Sequence, residues 1–156
     1  MKCEIDGVVI RELARHSDER GWLIELFRSD ELDSAILPAM SYVSLTRAGV
    51  VRGPHEHRKQ TDHFCFVGPS TFRLYLWDNR QDSSTRGKTF QLEAGEDNPV
   101  AVVVPPGVVH AYRNIGDRDG LVFNVPNRLF RGEGRSGTVD EIRHEDDPDS
   151  PFKLDE

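Results

Sequence analysis

The alternation from Thr71 to Asp78 sets the class of fold. Phe72, Leu74 and Leu76 fall on one side and Arg73, Tyr75 and Trp77 on the other, the period-two pattern of a strand with one face in a core. Val100 to Val104 is an unbroken apolar run of mostly branched residues, as in a strand buried on both faces. Short segments of similar character recur at 7–10, 22–27, 42–45, 63–67, 88–92, 108–113 and 121–125. Between them lie Gly-, Pro- and Asn-rich turns at 68–70, 79–87, 95–99, 105–107 and 116–120. A helical turn or two is expected at Asp30 to Ile36, with Ser29 as N-cap and Pro38 beyond the end. Many short strands and minimal helix predict an all-β sandwich or barrel. No internal repeat or linker divides the chain, so 1–156 reads as one domain, with an irregular acidic tail from about residue 133.

The longest apolar run is far shorter than the roughly 20 residues of a membrane span, and the first residues carry charge where a signal peptide would be apolar. Cys3 and Cys65 fit neither a disulfide framework nor a zinc ribbon. A cytoplasmic protein with reduced thiols, without a membrane partner, is the expectation. The net charge of −7 argues against a nucleic-acid partner. Its distribution matters more: residues 133–156 hold nine acids and three bases, leaving 17 basic and 18 acidic residues elsewhere. The body of the fold is nearly neutral, so an anionic small molecule could still be held by local arginines. The tail reads as a solvated surface.

Two histidine clusters concentrate the chemistry: Gly49 to Lys59, with His55 and His57, and Pro105 to Asn114, with His110. On a strand, residues two apart share a face, so His55 and His57 can project together, as can His110 and Tyr112. The spacing of Gly49, His55, His57 and Asp62, and of Pro105, Gly107, His110 and Asn114, resembles the two motifs of the cupin family. That resemblance implies a double-stranded β-helix, the antiparallel jelly-roll barrel.

A narrower resemblance covers residues 18–147. Asp18 to Arg28, Gly49 to His55, Trp77 to Arg80 with Gly87, and Pro106 to Ala111 look like successive segments of the dTDP-4-dehydrorhamnose 3,5-epimerases. The resemblance implies a dTDP-4-keto-6-deoxyhexose substrate, no cofactor, no metal and a homodimer. A C4 ketone acidifies the neighbouring carbons; a base removes a proton, and its return to the other face inverts the centre. A histidine, with an ordinary pKa of about 6.5, suits that base. By carry-over His55 is the base and His110, oriented by Asp78, sits near the developing oxyanion. Arg20 and Arg52 hold the diphosphate, whose oxygens match the guanidinium fork, and Glu25 accepts from the nucleobase. Arg80, in the same Asp78 segment, is carried over as a further substrate-binding residue. The epimerases' acid, a tyrosine thirteen residues after the second histidine, falls by count on Phe123, and Tyr112 is an alternative phenol. The aspartate that pairs with their catalytic histidine finds no match.

Other readings stay open at this point. Arg52 to Arg58 also resembles the Arg-Gly-x-His-x-His-Lys stretch of the nucleotide-sugar 3,4-ketoisomerases, which work with two histidines, here His55 and His57. Alternatively His55, His57, Asp62 and His110 form a ligand set for a metal-dependent cupin enzyme. A cupin that binds a sugar without turning it over is the third.

Overall fold

The structure, a computed structural model, describes residues 2–155; Met1 and Glu156 lie outside them. The strands, in chain order, are β1 (Val9–Glu12), β2 (Arg15–Asp18), β3 (Gly21–Ile24), β4 (Tyr42–Thr46), β5 (Val51–Glu56), β6 (Asp62–Phe66), β7 (Thr71–Asp78), β8 (Thr89–Gly95), β9 (Val100–Val104), β10 (Val108–Asn114), β11 (Gly120–Asn124) and β12 (Ile142–Arg143). Every pairing is antiparallel. One sheet runs β1-β9-β6-β11-β4, the other β12-β5-β10-β7-β8, and β2-β3 stands as a separate hairpin. The two large sheets enclose one core. Phe64, Phe66, Val100, Val102, Val104 and Val122 from the first meet Phe72, Leu74, Leu76, Leu92, Val108 and Tyr112 from the second. This is the all-β jelly roll expected.

The strongest sequence patterns mark the centre: β7 and β9 coincide with the Thr71 and Val100 segments, and Phe72, Leu74 and Leu76 are fully buried. Tyr75, on the opposite face of β7, is buried too. It stacks on Trp77, which packs against Phe152 from the C-terminal segment.

The expected helix shrinks to a single 3-10 turn, Ser34–Ile36. Asp33 rather than Ser29 caps it, accepting from the Ala35 amide at 2.8 Å. Asp30 is turned back onto Arg28, and Leu37 before Pro38 is already extended, as proline requires of its predecessor. Too few residues remain for an α-turn. Most of the C-terminal segment is exposed, as expected, but part of it packs on the barrel. Its β12 pairs with β5, and Ser150 is buried.

Candidate active site

One end of the barrel is packed with aromatic and aliphatic side chains; the other opens as a cavity of 1340 Å³. A bulge sets its geometry. His55 pairs with His110 across β5 and β10, but Arg52 pairs with Tyr112, so β5 carries one extra residue between them. In a regular strand residues three apart face opposite ways; the bulge restores them to one side, and Arg52 and His55 both line the cavity. Gly53 makes this approach possible. Its φ is +89°, and a Cβ there would lie 2.7 Å from the His110 carbonyl oxygen. Past the end of β5, His57 lines the same cavity, its ring stacked 5.7 Å from that of His110, while His55 meets His110 edge-on at 6.2 Å.

Asp62, at the start of β6, organises two of these rings. Its Oδ1 accepts from the Gln60 and Asn124 side-chain amides, each at 2.8 Å. Its Oδ2 faces His57 Nε2 at 3.1 Å and His110 Nε2 at 3.4 Å. Burial alone would push the His57 imidazolium down, but the hydrogen bond and charge of Asp62 outweigh it and raise His57 to about 9. For His110 burial wins over the attraction of Asp62, with the charge of His57 adding to it, and the ring falls to about 4. Burial raises the Asp62 carboxyl, yet His57 and His110 together hold it below its ordinary value. One buried carboxylate thus supports one imidazolium, leaving His110 neutral at pH 7.

Backbone contacts orient both rings. His57 Nδ1 donates to the Asp140 carbonyl, and His110 Nδ1 lies 3.3 Å from the Val108 carbonyl. The Asp140 carboxylate accepts from the Arg58, Lys59 and Gln60 amides at 2.9–3.0 Å, fixing the turn after His57. His57, Asp62 and His110 offer three donor atoms within 4.8 Å of one another, a set that could hold a divalent cation. His55 is not part of it.

His55 is held by the C-terminal segment instead. Its Nε2 lies 2.5 Å from Glu145 Oε1 and its Nδ1 3.5 Å from Glu141 Oε1. Both carboxylates arrive because Ile142 and Arg143 add to the edge of β5, opposite Glu56 and His55. Nothing in the sequence separates Glu145 from neighbouring Asp146 and Asp147, so only the strand pairing reveals it.

The remaining expected residues scatter. Arg52 lines the cavity but spends its guanidinium on Thr46 Oγ1 at 2.9 Å and the Leu45 carbonyl at 2.8 Å. Tyr112 also lines the cavity, its hydroxyl 3.0 Å from Ser44 Oγ. Arg20 is outside, on the β2-β3 turn, paired with Asp18 and 85% exposed. Glu25 is outside as well, beside Arg28. Asp78 does not orient His110. It pins the 79–87 loop through Arg80, Ser83 and Thr85, and Arg80 also donates to the Asp6 carbonyl. That network holds the Asp78 carboxyl well below its usual range, overcoming its burial. Phe123 faces outward, against the cluster of Leu13, Cys65, Val67 and Ala101, so the count of thirteen lands one residue off. Its neighbour Asn124 is the inward residue, bonded to Asp62 and, at 2.9 Å, to the Tyr42 hydroxyl. Tyr42, missed in the sequence, lines the cavity too; desolvation and the Asp62 charge push its phenol up to about 12.

A jelly-roll barrel whose open end carries carboxylate-held histidines and phenols is a proton-transfer enzyme of the cupin type. The dTDP-4-dehydrorhamnose 3,5-epimerase family matches the chain over residues 2–142. A probable low-salt glycan biosynthesis epimerase of Haloferax volcanii is 41% identical over 128 residues, 81% of each chain. A spore coat polysaccharide biosynthesis protein of Bacillus subtilis is 39% identical over 115 residues, 72% of this chain and 74% of that one. Among solved structures, a dTDP sugar isomerase from Desulfovibrio desulfuricans superimposes with a TM-score of 0.80 at 25% identity, over 96% of this chain and 91% of that one. The chain belongs to the dTDP-4-dehydrorhamnose 3,5-epimerase family and is a nucleotide-sugar epimerase.

Proposed function

We propose that the substrate is a dTDP-linked 4-keto-6-deoxyhexose and that His55 removes the proton next to its ketone. The observation that carries this is the placement of His55 on the cavity wall with Glu145 against one ring nitrogen. A carboxylate there fixes the ring and balances the charge it gains, as an orienting acid does for a general base. Cationic His57, also on the cavity wall, supplies positive charge for the enolate oxygen. Tyr42 is the better placed phenol to return a proton. Its hydroxyl accepts from Asn124 and keeps its own hydrogen to give, whereas Tyr112 is nearly buried among Phe64, Phe66 and Phe72. The glycan and polysaccharide relatives support a role in polysaccharide assembly.

We also propose a cytoplasmic homodimer. No helix among the described residues is long and apolar enough to cross a membrane. Val43 and Leu45, on the outer face of edge strand β4, are both about half exposed, an apolar strip suited to a second copy. Such a partner is also the route by which Arg20 or Glu25 could reach a substrate.

The test is incubation with dTDP-4-keto-6-deoxyglucose in heavy water, followed by proton NMR. Deuterium at C3 or C5 with inversion, lost in His55→Ala, is expected. Migration of the ketone without inversion would favour the 3,4-ketoisomerase reading, for which His57 stands ready beside His55. Exchange that survives His55→Ala but stops with a chelator would favour the metal reading.

A further inference from the structure

Glu145 reaches His55 from a weak piece of structure. It sits in a three-residue 3-10 turn, His144–Asp146, that follows the two-residue strand β12. A lone 3-10 turn has poor hydrogen-bond geometry, and β12 is shorter than a strand usually is. Burial does not hold the turn either, because none of its residues is buried. The Arg143 guanidinium also approaches Glu145, but at 3.9 Å and with 56% of its side chain exposed. An ion pair of that kind contributes roughly 0–1 kcal/mol. Something else must fix this carboxylate.

The anchor is the residue beside it. His144 Nε2 donates to Glu56 Oε2 at 2.8 Å, and the same oxygen accepts from the Asn79 side-chain amide at 3.0 Å. The His144 and Glu56 side chains are only 16% and 12% exposed, so water competes little for this hydrogen bond. The His144 ring also stands edge-on to Phe152 at 4.7 Å, and Phe152 packs on Trp77 of β7. Ser150, itself buried, accepts from the Phe152 amide at 3.3 Å and so turns the chain back for that contact. Asn79 is fixed from its own side, since its backbone amide donates to the Gly107 carbonyl at 3.1 Å.

Register converts this anchor into an aiming device. Ile142 pairs with Glu56 and Arg143 with His55, and successive side chains of a strand point to opposite faces. His55 faces the cavity, whereas Glu56 and His144 are not among its lining residues. His144 and Glu145, also consecutive, meet Glu56 and His55 from the two faces of the same strand. Whatever fastens His144 to Glu56 outside the barrel therefore holds Glu145 to His55 inside it. We infer that Glu56 and His144 are positioning residues, which hold Glu145 against His55 and so set the rate of proton removal. This rests on the proposed role of His55 as the base and adds to it the pair that aims its orienting carboxylate.

Solvent-deuterium uptake into dTDP-4-keto-6-deoxyglucose tests it, on the full chain, with circular dichroism to check that each variant folds. Glu56→Ala is expected to lower kcat roughly 10–10²-fold, as displacement of a catalytic group does, and to leave KM unchanged. His144→Ala, a change in the C-terminal segment rather than in the barrel, should do the same. Glu56→Gln keeps an acceptor oxygen for His144 and Asn79 and should restore most of the rate. In a Glu145→Gln background, Glu56→Ala should cost less than about twofold more, because residues that act through one another are not additive. An undiminished loss in that background would overturn the inference, since the pair would then act on something other than Glu145. An unchanged kcat in folded Glu56→Ala and His144→Ala proteins, beside an impaired Glu145→Gln, would overturn the pair alone. Exchange that survives both His55→Ala and Glu145→Gln would overturn the reading of the base, and this inference with it.

Discussion

Replacing Asp62 with Asn probes the charge balance that the site depends on. The substitution keeps the shape of the side chain and an acceptor for Gln60 and Asn124, but removes the charge shared by His57 and His110. A rise of His57 from 6.5 to about 9, at 1.36 kcal/mol per pH unit, corresponds to about 3 kcal/mol of stability. The His57 side chain is only 13% exposed, so solvent screening takes little of this away. Because the folded value lies above the unfolded one, the contribution is complete below pH 6.5 and disappears as pH rises through 9. His110 acts in the opposite sense. Held at about 4 in the folded protein, it lets the unfolded chain bind its proton first, so stability climbs with pH between 4 and 6.5. Stability of the unaltered protein should therefore peak near pH 6.5. Urea unfolding, followed by tryptophan fluorescence from pH 5.5 to 9.5, measures it. Asp62→Asn should cost about 3–5 kcal/mol near pH 6.5, as expected for a broken buried pair. The gap between the two proteins should then narrow by about 3 kcal/mol as pH rises to 9.5. Parallel curves across that range would refute the pairing.

Other expectations concern the reaction. Glu145→Gln should lower kcat for solvent-deuterium uptake by roughly 10²-fold, within the range a positioned base contributes, while KM stays put; steady-state kinetics in heavy water separates the two. Tyr42→Phe should slow inversion relative to exchange by roughly 10²-fold or more, and Tyr112→Phe should leave that ratio near its original value, both read by NMR. Phe123→Tyr should change neither rate by more than about twofold, because its ring packs on the outer cluster beside Cys65; a selective gain in inversion in the same assay would place that side chain in the site after all.

The parts of the fold legible in the sequence are those whose reason for forming is local. β7 announces itself because Phe72, Leu74 and Leu76 must all leave water on one side, and β9 because every residue from Val100 to Val104 is buried. β2 has no such pattern. Arg15 to Asp18 become a strand by pairing with β3 across a turn in which Asp18 accepts from the Arg20 amide. Likewise Ile142 and Arg143 are extended only because β5 offers an open edge. Edge pairing is a property of the partner, and the segment's own composition does not encode it.

The site divides along the same line. His55, His57, Asp62 and His110 lie within or close to two short motifs; strand periodicity pairs His55 with His57, and the resemblance to the cupin motifs is what adds Asp62 and brings them to one cavity with His110. The motif residue Asn114 proves to be a scaffold: fully buried, it accepts from Ser70 and the Gly116 amide and donates to the Thr46 and Arg118 carbonyls, tying the end of β10 to the turn after it. What escaped was set by long-range geometry: a one-residue offset that puts Asn124 inside and Phe123 outside, and a C-terminal segment whose acids looked like a solvated surface. That segment's charge has a structural use. Asp140 caps the turn after His57, Glu145 and Glu141 flank His55, and Glu56 meets His144 at 2.8 Å. Asp140, Glu141 and Glu145 are committed to histidines and backbone amides, and among the described residues they form no ion pair with Arg128, Arg131 or Arg135, which line the cavity mouth. An acidic protein can in this way keep a basic cavity mouth, because its negative charge is held in specific contacts a few residues away from the positive charge left free for a ligand.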